Sequence, residues 1–428
     1  MYKPKEEFRE RALVVGIIRP NQSRFLVNDY LDEIELLADT AGADVLERIV
    51  QQRNRIDPAF MIGRGKVEEL ALTAKYLDAD LIIFDDDLSP AQVKNIENVC
   101  KIKILDRSGL ILDIFAKHAR TKEARIQVEL AQLKYLVSRL TRQWKHLSRQ
   151  VGGIGVRGPG ETQLEVDRRL IRKRIGVLEK SLEKISKQRA NRRQNRSDTL
   201  KAALVGYTNV GKSTILNALT NASALVEDQL FATLDATIRS TELADHRRIL
   251  LIDTVGFIRK LPHHLVASFK STLEEASDAD VLLHVVDISN PNFREQMRTV
   301  ESVLAELKID DKPVLKVFNK IDKLQDSSLI AKLKNDEQPC VFISAQRGIF
   351  LNDLTDQLYL FIERFSKTMG ISLPVHETEI ISRLHDLGEI LSIDYQDSQA
   401  IINFKTTTIN ADRVQRLLAE KNFHVIEL

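Results

Sequence analysis

Residues 202–219 read Ala202-Ala203-Leu204-Val205-Gly206-Tyr207-Thr208-Asn209-Val210-Gly211-Lys212-Ser213-Thr214-Ile215-Leu216-Asn217-Ala218-Leu219: an apolar strand, a glycine-bounded turn and a helix in succession. The turn fits the phosphate-loop pattern G-x-x-x-x-G-K-[ST], which carries meaning only in this strand–loop–helix setting. Gly206 and Gly211 let the backbone curl so that successive N–H groups and a helix N-terminus face phosphate oxygens. Tyr207, Thr208, Asn209 and Val210 supply the intervening amides. Lys212 is placed to reach the β- and γ-phosphates, and the Ser213 hydroxyl to ligate Mg²⁺.

Two more strand ends follow in the order such a site requires. Arg248-Ile249-Leu250-Leu251-Ile252 leads into Asp253-Thr254-Val255-Gly256. An Asp at that strand end positions the metal, and Gly256 can offer its N–H to a γ-phosphate, so the loop after it becomes a switch. Asn319-Lys320-Ile321-Asp322 then selects the base. A carboxylate at Asp322 accepts from two donors on a ring edge, which guanine has and adenine lacks. Asn319 either contacts the base or braces the phosphate loop. Ser344-Ala345-Gln346, after the apolar Cys340-Val341-Phe342-Ile343, is expected to finish the base pocket. The expected ligands are GTP or GDP with Mg²⁺, and the reaction is phosphoryl transfer to water. Asn-Lys-x-Asp alone is nearly worthless as a signal, but three ordered motifs at three strand ends are hard to produce by chance.

A chain of 428 residues holds two to four domains on length alone. No apolar run approaches the ~20 residues of a membrane span, and Met1-Tyr2-Lys3-Pro4-Lys5-Glu6-Glu7 has no apolar signal core. A cytoplasmic location is expected, with peripheral membrane association still compatible with the sequence. Cys100 and Cys340 lie beside apolar runs without metal-ligand spacing and read as inert core thiols. The net charge of +2 conceals an asymmetry: residues 120–197 hold 21 Lys+Arg against 7 Asp+Glu. Such a block reads either as a solvated charged helix or as a polyanion-binding element, with RNA the expected partner and DNA not expected.

The fold class is α/β and multidomain. Residues 1–115 read as an N-terminal α/β domain, with strands at 13–18 and 81–84 and helices at 66–77 and 90–99. Ser89 and Pro90 mark the start of the second helix. Gly63-Arg64-Gly65-Lys66 before a helix reads as a tight glycine turn or, less naturally, an anion site. Residues 116–198 read as a basic helical hairpin. Ile126, Leu130, Leu133, Val137, Leu140, Trp144 and Leu147 form one heptad seam, and Ile171, Ile175, Leu178, Leu182 and Ile185 a second, predicting antiparallel arms. The turn between them has five glycines in the nine residues 152–160, with Arg149 and Arg157 beside or within it. It reads as a mobile tip suited to an RNA cavity or as a simple linker. Residues 199–367 read as a doubly wound, mostly parallel nucleotide domain. Residues 368–428 read as a small α+β docking module, with a hairpin, a helix at 411–420 and a last strand.

With these motifs in this order, the chain strongly resembles the HflX family of bacterial GTPases over nearly its whole length. The most specific segment is Gly158-Pro159-Gly160-Glu161-Thr162-Gln163-Leu164-Glu165-Val166-Asp167-Arg168-Arg169, directly ahead of the nucleotide domain. Phe231-Ala232-Thr233-Leu234-Asp235 and Asp253-Thr254-Val255-Gly256-Phe257-Ile258 look like that family's switch regions. The resemblance implies a GTP hydrolase that binds the large ribosomal subunit and its rRNA in the GTP state and splits or rescues ribosomes, especially after stress. It implies that Thr233 closes on Mg²⁺ and the γ-phosphate, which makes Ser213, Thr233 and Asp253 the metal set and Lys212, Thr233 and Gly256 the catalytic groups. Asn209 resembles the potassium-coordinating Asn of some related GTPases, so K⁺ is a further candidate ion. Two departures stand out. Ala236 replaces the proline many relatives have, and Phe257 occupies the position where many GTPases use Gln to orient water. Slow turnover alone and acceleration on the ribosome are expected. An assembly GTPase for immature subunits, or an RNA-binding protein merely regulated by GTP, are the alternatives; a monomer is expected.

Overall fold

The computed structural model describes residues 9–139, 163–194, 200–220, 230–231, 236–243, 248–260 and 276–426, the last stretch without 325, 327, 365, 397, 422 and 424. The glycine-rich tip at 152–160 and residues 232–235 therefore lie outside the described residues. The chain divides into two compact units, residues 1–186 with 228–234 and 261–269, and the remainder.

The first unit begins as an alternating α/β layer: β1 (Glu10–Ile18), α1 (Arg24–Ala41), β2 (Ala43–Gln52), α2 (Arg64–Tyr76), β3 (Leu81–Phe84), α3 (Pro90–Cys100), β4 (Lys103–Asp106) and α4 (Arg107–His118). The four strands are parallel in the order β2-β1-β3-β4. β1 and β3 are near-continuous apolar runs because helices cover the sheet's faces. The starts of the helices are local chemistry. Ser23 accepts from Leu26 N–H at the head of α1, and Ser89 and Gln92 form a reciprocal capping box at α3 with Pro90 in its first turn. Gly63 N-caps α2, and Arg64 and Lys66 form surface pairs with Glu68 and Glu69. That is the glycine-turn reading of the segment.

The helical arm follows as α5 (Lys122–Arg139) and α6 (Gln163–Gln194). Arg174 meets Glu129 through two nitrogens at 2.7 and 3.0 Å, and Lys134 meets Glu179 at 2.9 Å, tying the helices together. The heptad reading captured only part of α5. Ala124, Val128 and Ala131, off the seam, are also buried. Fully buried Asp106 anchors the arm: it caps α4 through Gly109 N–H at 2.9 Å, holds Leu88 N–H, and accepts from Tyr135 of α5 at 2.7 Å and from Arg139. The expected boundary at 115 falls inside α4, which ends at His118.

The second unit carries β5 (Leu200–Gly206), α7 (Lys212–Thr220), β6 (Thr237–Glu242), β7 (Arg248–Asp253), β8 (Val281–Asp287), α8 (Phe293–Glu306), β9 (Val314–Asn319), α9 (Ser328–Asp336), β10 (Cys340–Phe342) and α10 (Leu351–Glu363). The sheet order is β10-β9-β8-β5-β7-β6, all parallel except the edge strand β6, which runs against β7. The order reverses at β5, whose carboxyl end therefore opens into the crevice where ligands of such sheets bind.

The unit ends in β11 (Ser366–Pro374), α11 (Thr378–Leu387), β12 (Gly388–Gln396), β13 (Gln399–Thr407), α12 (Thr408–Glu420) and β14 (Val425–Ile426). The antiparallel order β12-β13-β11-β14 makes this a split βαβ, ferredoxin-like module with its own core of Ile371, Leu384, Ile402, Phe404 and Val414. The expected hairpin, helix and last strand are present, but β11 and α11 were not foreseen, and the expected boundary at 367/368 cuts β11. Lys405 pairs with Glu363 of α10, and Arg413 reaches Asp280 at 3.4 Å, bolting the module to the nucleotide domain.

Candidate nucleotide site

The three motifs converge at the carboxyl end of β5 and its neighbours. The phosphate loop leaves β5 at Gly206, and α7 begins at Lys212. Its curl uses left-handed backbone at Asn209 (φ 59°) and Gly211 (φ 95°). A Cβ on Gly211 would lie 2.4 Å from Nδ2 of Asn319, so only glycine fits there. Asn319 is a brace rather than a base contact in this arrangement. Its Nδ2 donates to Val210 O at 2.8 Å and its Oδ1 accepts Ala345 N–H at 3.0 Å. Lys320 adds a second brace through Nζ to Asn209 O at 2.7 Å, and it pairs with Asp287 at 2.7 Å. One side chain thus joins the phosphate-loop motif to the Ser344–Gln346 segment expected to finish the base pocket.

Lys212 is buried, with Nζ 2.8 Å from Tyr207 O and 3.4 Å from Gly206 O. Burial pushes its pKa down to about 8, opposed by the nearby Asp253 carboxylate. The Ser213 hydroxyl donates to Asp253 at 2.6 Å. A hydroxyl and a carboxylate oxygen side by side form a hard-oxygen pair suited to Mg²⁺. Thr254 is turned inward, donating to Leu204 O at 2.7 Å, and Val255 is buried. Gly256 packs on the phosphate loop so closely that a Cβ would sit 2.8 Å from Thr208 Cα and 3.1 Å from Lys212 Nζ. The Thr208 hydroxyl beside it is buried without a partner among the described residues.

At the base end, Asp322 accepts from Ser344, whose bond holds its carboxyl below the usual range, helped by Arg347 at 3.3 Å. Ile321 N–H donates to Ile343 O, and Ser344 and Ile349 exchange backbone bonds, which fixes the 344–349 loop; exposed Gln346 lies within it. Phe257 and Ile258 are buried, so Phe257 presents no side chain to a water nucleophile.

Of the expected switch residues 231–235, Phe231 alone is among the described residues. Ala232, Thr233, Leu234 and Asp235 lie outside the described residues. Phe231 belongs to the first unit and is buried there, edge-on to Phe115 of α4 with ring centroids 4.7 Å apart. Sequence reasoning also missed His284, buried in the middle of β8. Burial, then the charges of Lys316 and Lys212, lower its pKa to about 4. Its one available signal was a lone polar residue inside the apolar run 281–286.

Three family models match in tandem: a GTP-binding GTPase N-terminal region at 28–116, a GTP-binding GTPase middle region at 118–196, and a 50S ribosome-binding GTPase domain at 201–320. Among curated relatives, GTPase HflX of Flavobacterium psychrophilum is 45% identical over 395 residues, 91% of this chain and 95% of that protein. The chain belongs to the HflX family of GTPases. GTPase HflX of Escherichia coli K12 is 46% identical over 366 residues, covering 84% of this chain and 85% of the relative. A solved SsGBP–GDP complex matches at 27% identity with TM-score 0.48, over 82% of this chain and 98% of that one. As a member of the HflX family the chain is a GTP hydrolase, and the phosphate loop, Asp253–Gly256 and Asn319–Asp322 converge on its candidate nucleotide site. Among the described residues, no helix is long and apolar enough to cross a membrane.

Proposed function

We propose that this HflX-family GTPase binds the large ribosomal subunit in its GTP state and splits or rescues ribosomes under stress, with hydrolysis releasing it. The observation that carries the reading is α6. This helix of 32 residues exposes Arg172, Lys173, Lys180 and Lys184, and its residues 163–186 lie in the same unit as the N-terminal sheet. Cations spaced along one long helix suit a phosphate backbone, and the glycine-rich sequence 152–160 between the two helices is of a kind suited to an RNA cavity. A nucleotide domain matching a 50S ribosome-binding model supports the same partner.

In the hydrolytic cycle the amides of 209–213 cradle the phosphates and Lys212 carries the charge that meets the γ-phosphate. Ser213 and Asp253 would hold Mg²⁺, with Thr233 the third group by resemblance. A magnesium ion held there would supply charge neutralisation at the phosphates. Asp322 selects guanine, and Gly256 N–H reads the γ-phosphate. K⁺ beside Asn209 would add a further charge at the phosphates. No described side chain of 253–258 orients a water: Asp253 is committed to Ser213, Thr254 to Leu204 O, and Phe257 is buried. We assign the missing contribution to the partner. Purified large subunits should therefore accelerate GTP hydrolysis on the order of 10³-fold, as added groups do in other GTPases. Equal rates with and without subunits would refute the proposal. Conversion of intact ribosomes to free subunits, followed by sedimentation with a non-hydrolysable GTP analogue, tests the splitting step.

A further inference from the structure

We infer that Tyr207 is a positioning residue for γ-phosphate recognition, its hydroxyl clasping the start of switch II onto the phosphate loop. Tyr207 is the first residue of the loop after Gly206 and is 4% exposed. Its hydroxyl accepts the backbone N–H of Arg259 at 2.8 Å. One step nearer the site, the backbones zip directly: Thr208 N–H donates to Phe257 O at 2.8 Å, and Phe257 N–H to Gly206 O at 3.0 Å. This is a one-residue parallel bridge between Tyr207 and Phe257. The far side of the segment is held as well, because the Arg259 guanidinium lies 3.7 Å from Glu295 in the first turn of α8.

The consequence concerns Gly256. It precedes the bridge and already lies against Thr208 and Lys212 with no room for a Cβ. Two backbone bonds and one hydroxyl bond fix the chain immediately after it, so its N–H is aimed by the phosphate loop itself. A donor fixed before the ligand arrives loses little freedom on binding. Phosphates that GDP also carries do not depend on this clasp. Their cradle is braced separately by Asn319 on Val210 O and by Lys320 on Asn209 O. Loss of the Tyr207 hydroxyl should therefore be felt only by a nucleotide with a γ-phosphate.

The inference rests on the hydrolase activity of the nucleotide domain and not on any ribosomal partner, so it is tested with the full chain alone. Tyr207→Phe removes one oxygen and keeps the buried ring. Affinities for GDP and for a non-hydrolysable GTP analogue, together with the single-turnover hydrolysis rate, are compared with the unsubstituted chain. The analogue affinity and the rate should each fall about three- to tenfold, the net worth of one neutral hydrogen bond, with GDP affinity unchanged within about twofold. Thermal unfolding of both proteins shows whether the fold is kept. A parallel loss for GDP and the analogue would make Tyr207 a general support of the loop and overturn the inference. Unchanged analogue affinity and rate would overturn it as well.

Discussion

Gly211 shows how far a single position commits this chain. Its φ of 95° suits glycine, and the space a side chain would enter is held by Asn319 Nδ2. Gly211→Ala should displace Asn319 from Val210 O and Ala345 N–H together, lowering affinity for a fluorescent GDP analogue by at least about tenfold; unchanged titration would contradict the brace. Lys212 gives a pH signature. Burial holds its pKa near about 8, and a bound polyphosphate favours the charged form and raises it. Binding then takes up a proton above pH 8. GDP affinity should be flat below that value and fall by up to about tenfold per pH unit above it. A flat profile to pH 9.5 would count against a buried, phosphate-facing lysine. At this scale the convergence of the three motifs was legible, because residue type and spacing put each at a strand end. The partners of Asn319, Lys320 and the Tyr207 hydroxyl were not. Those bonds join positions up to 111 residues apart, and no local pattern encodes them.

At the scale of elements, the strands ending in motifs were readable as continuous apolar runs: β5, β7 and β10 all lie within a few residues of their expected ranges. β6 was not, because an edge strand of Thr237–Glu242 with mostly exposed side chains has no apolar signature. β2 is likewise half polar, with Glu47, Arg48 and Gln51 inside it, and so escaped notice. β8 carries a testable liability in His284. An ordinary histidine gains a proton near pH 6.5, whereas this one resists protonation until about pH 4. Between those values the unfolded chain binds more protons, so stability falls as pH drops through the window. Between pH 7 and pH 5 the unsubstituted chain should lose about 2 kcal/mol more than a His284→Leu variant, measured by urea unfolding. Equal losses would mean that His284 is not held neutral.

The whole molecule combines a GTP-reading unit with a unit that carries the basic arm. Charge made this division visible early: residues 120–197 hold 21 Lys+Arg against 7 Asp+Glu, and the described part of that stretch forms two helices. What the arm touches depends on a partner surface that no intrachain pattern records. A switch also requires that the partner bind the two nucleotide states differently, since equal affinity shifts nothing. Co-sedimentation with purified large ribosomal subunits, comparing a non-hydrolysable GTP analogue with GDP across a salt series, tests this most directly. Retention with the analogue alone, weakening steeply with salt and lost on deletion of 152–160, is the predicted result. Equal retention in both nucleotide states would reduce the arm to a plain RNA anchor and contradict the GTP-gated account.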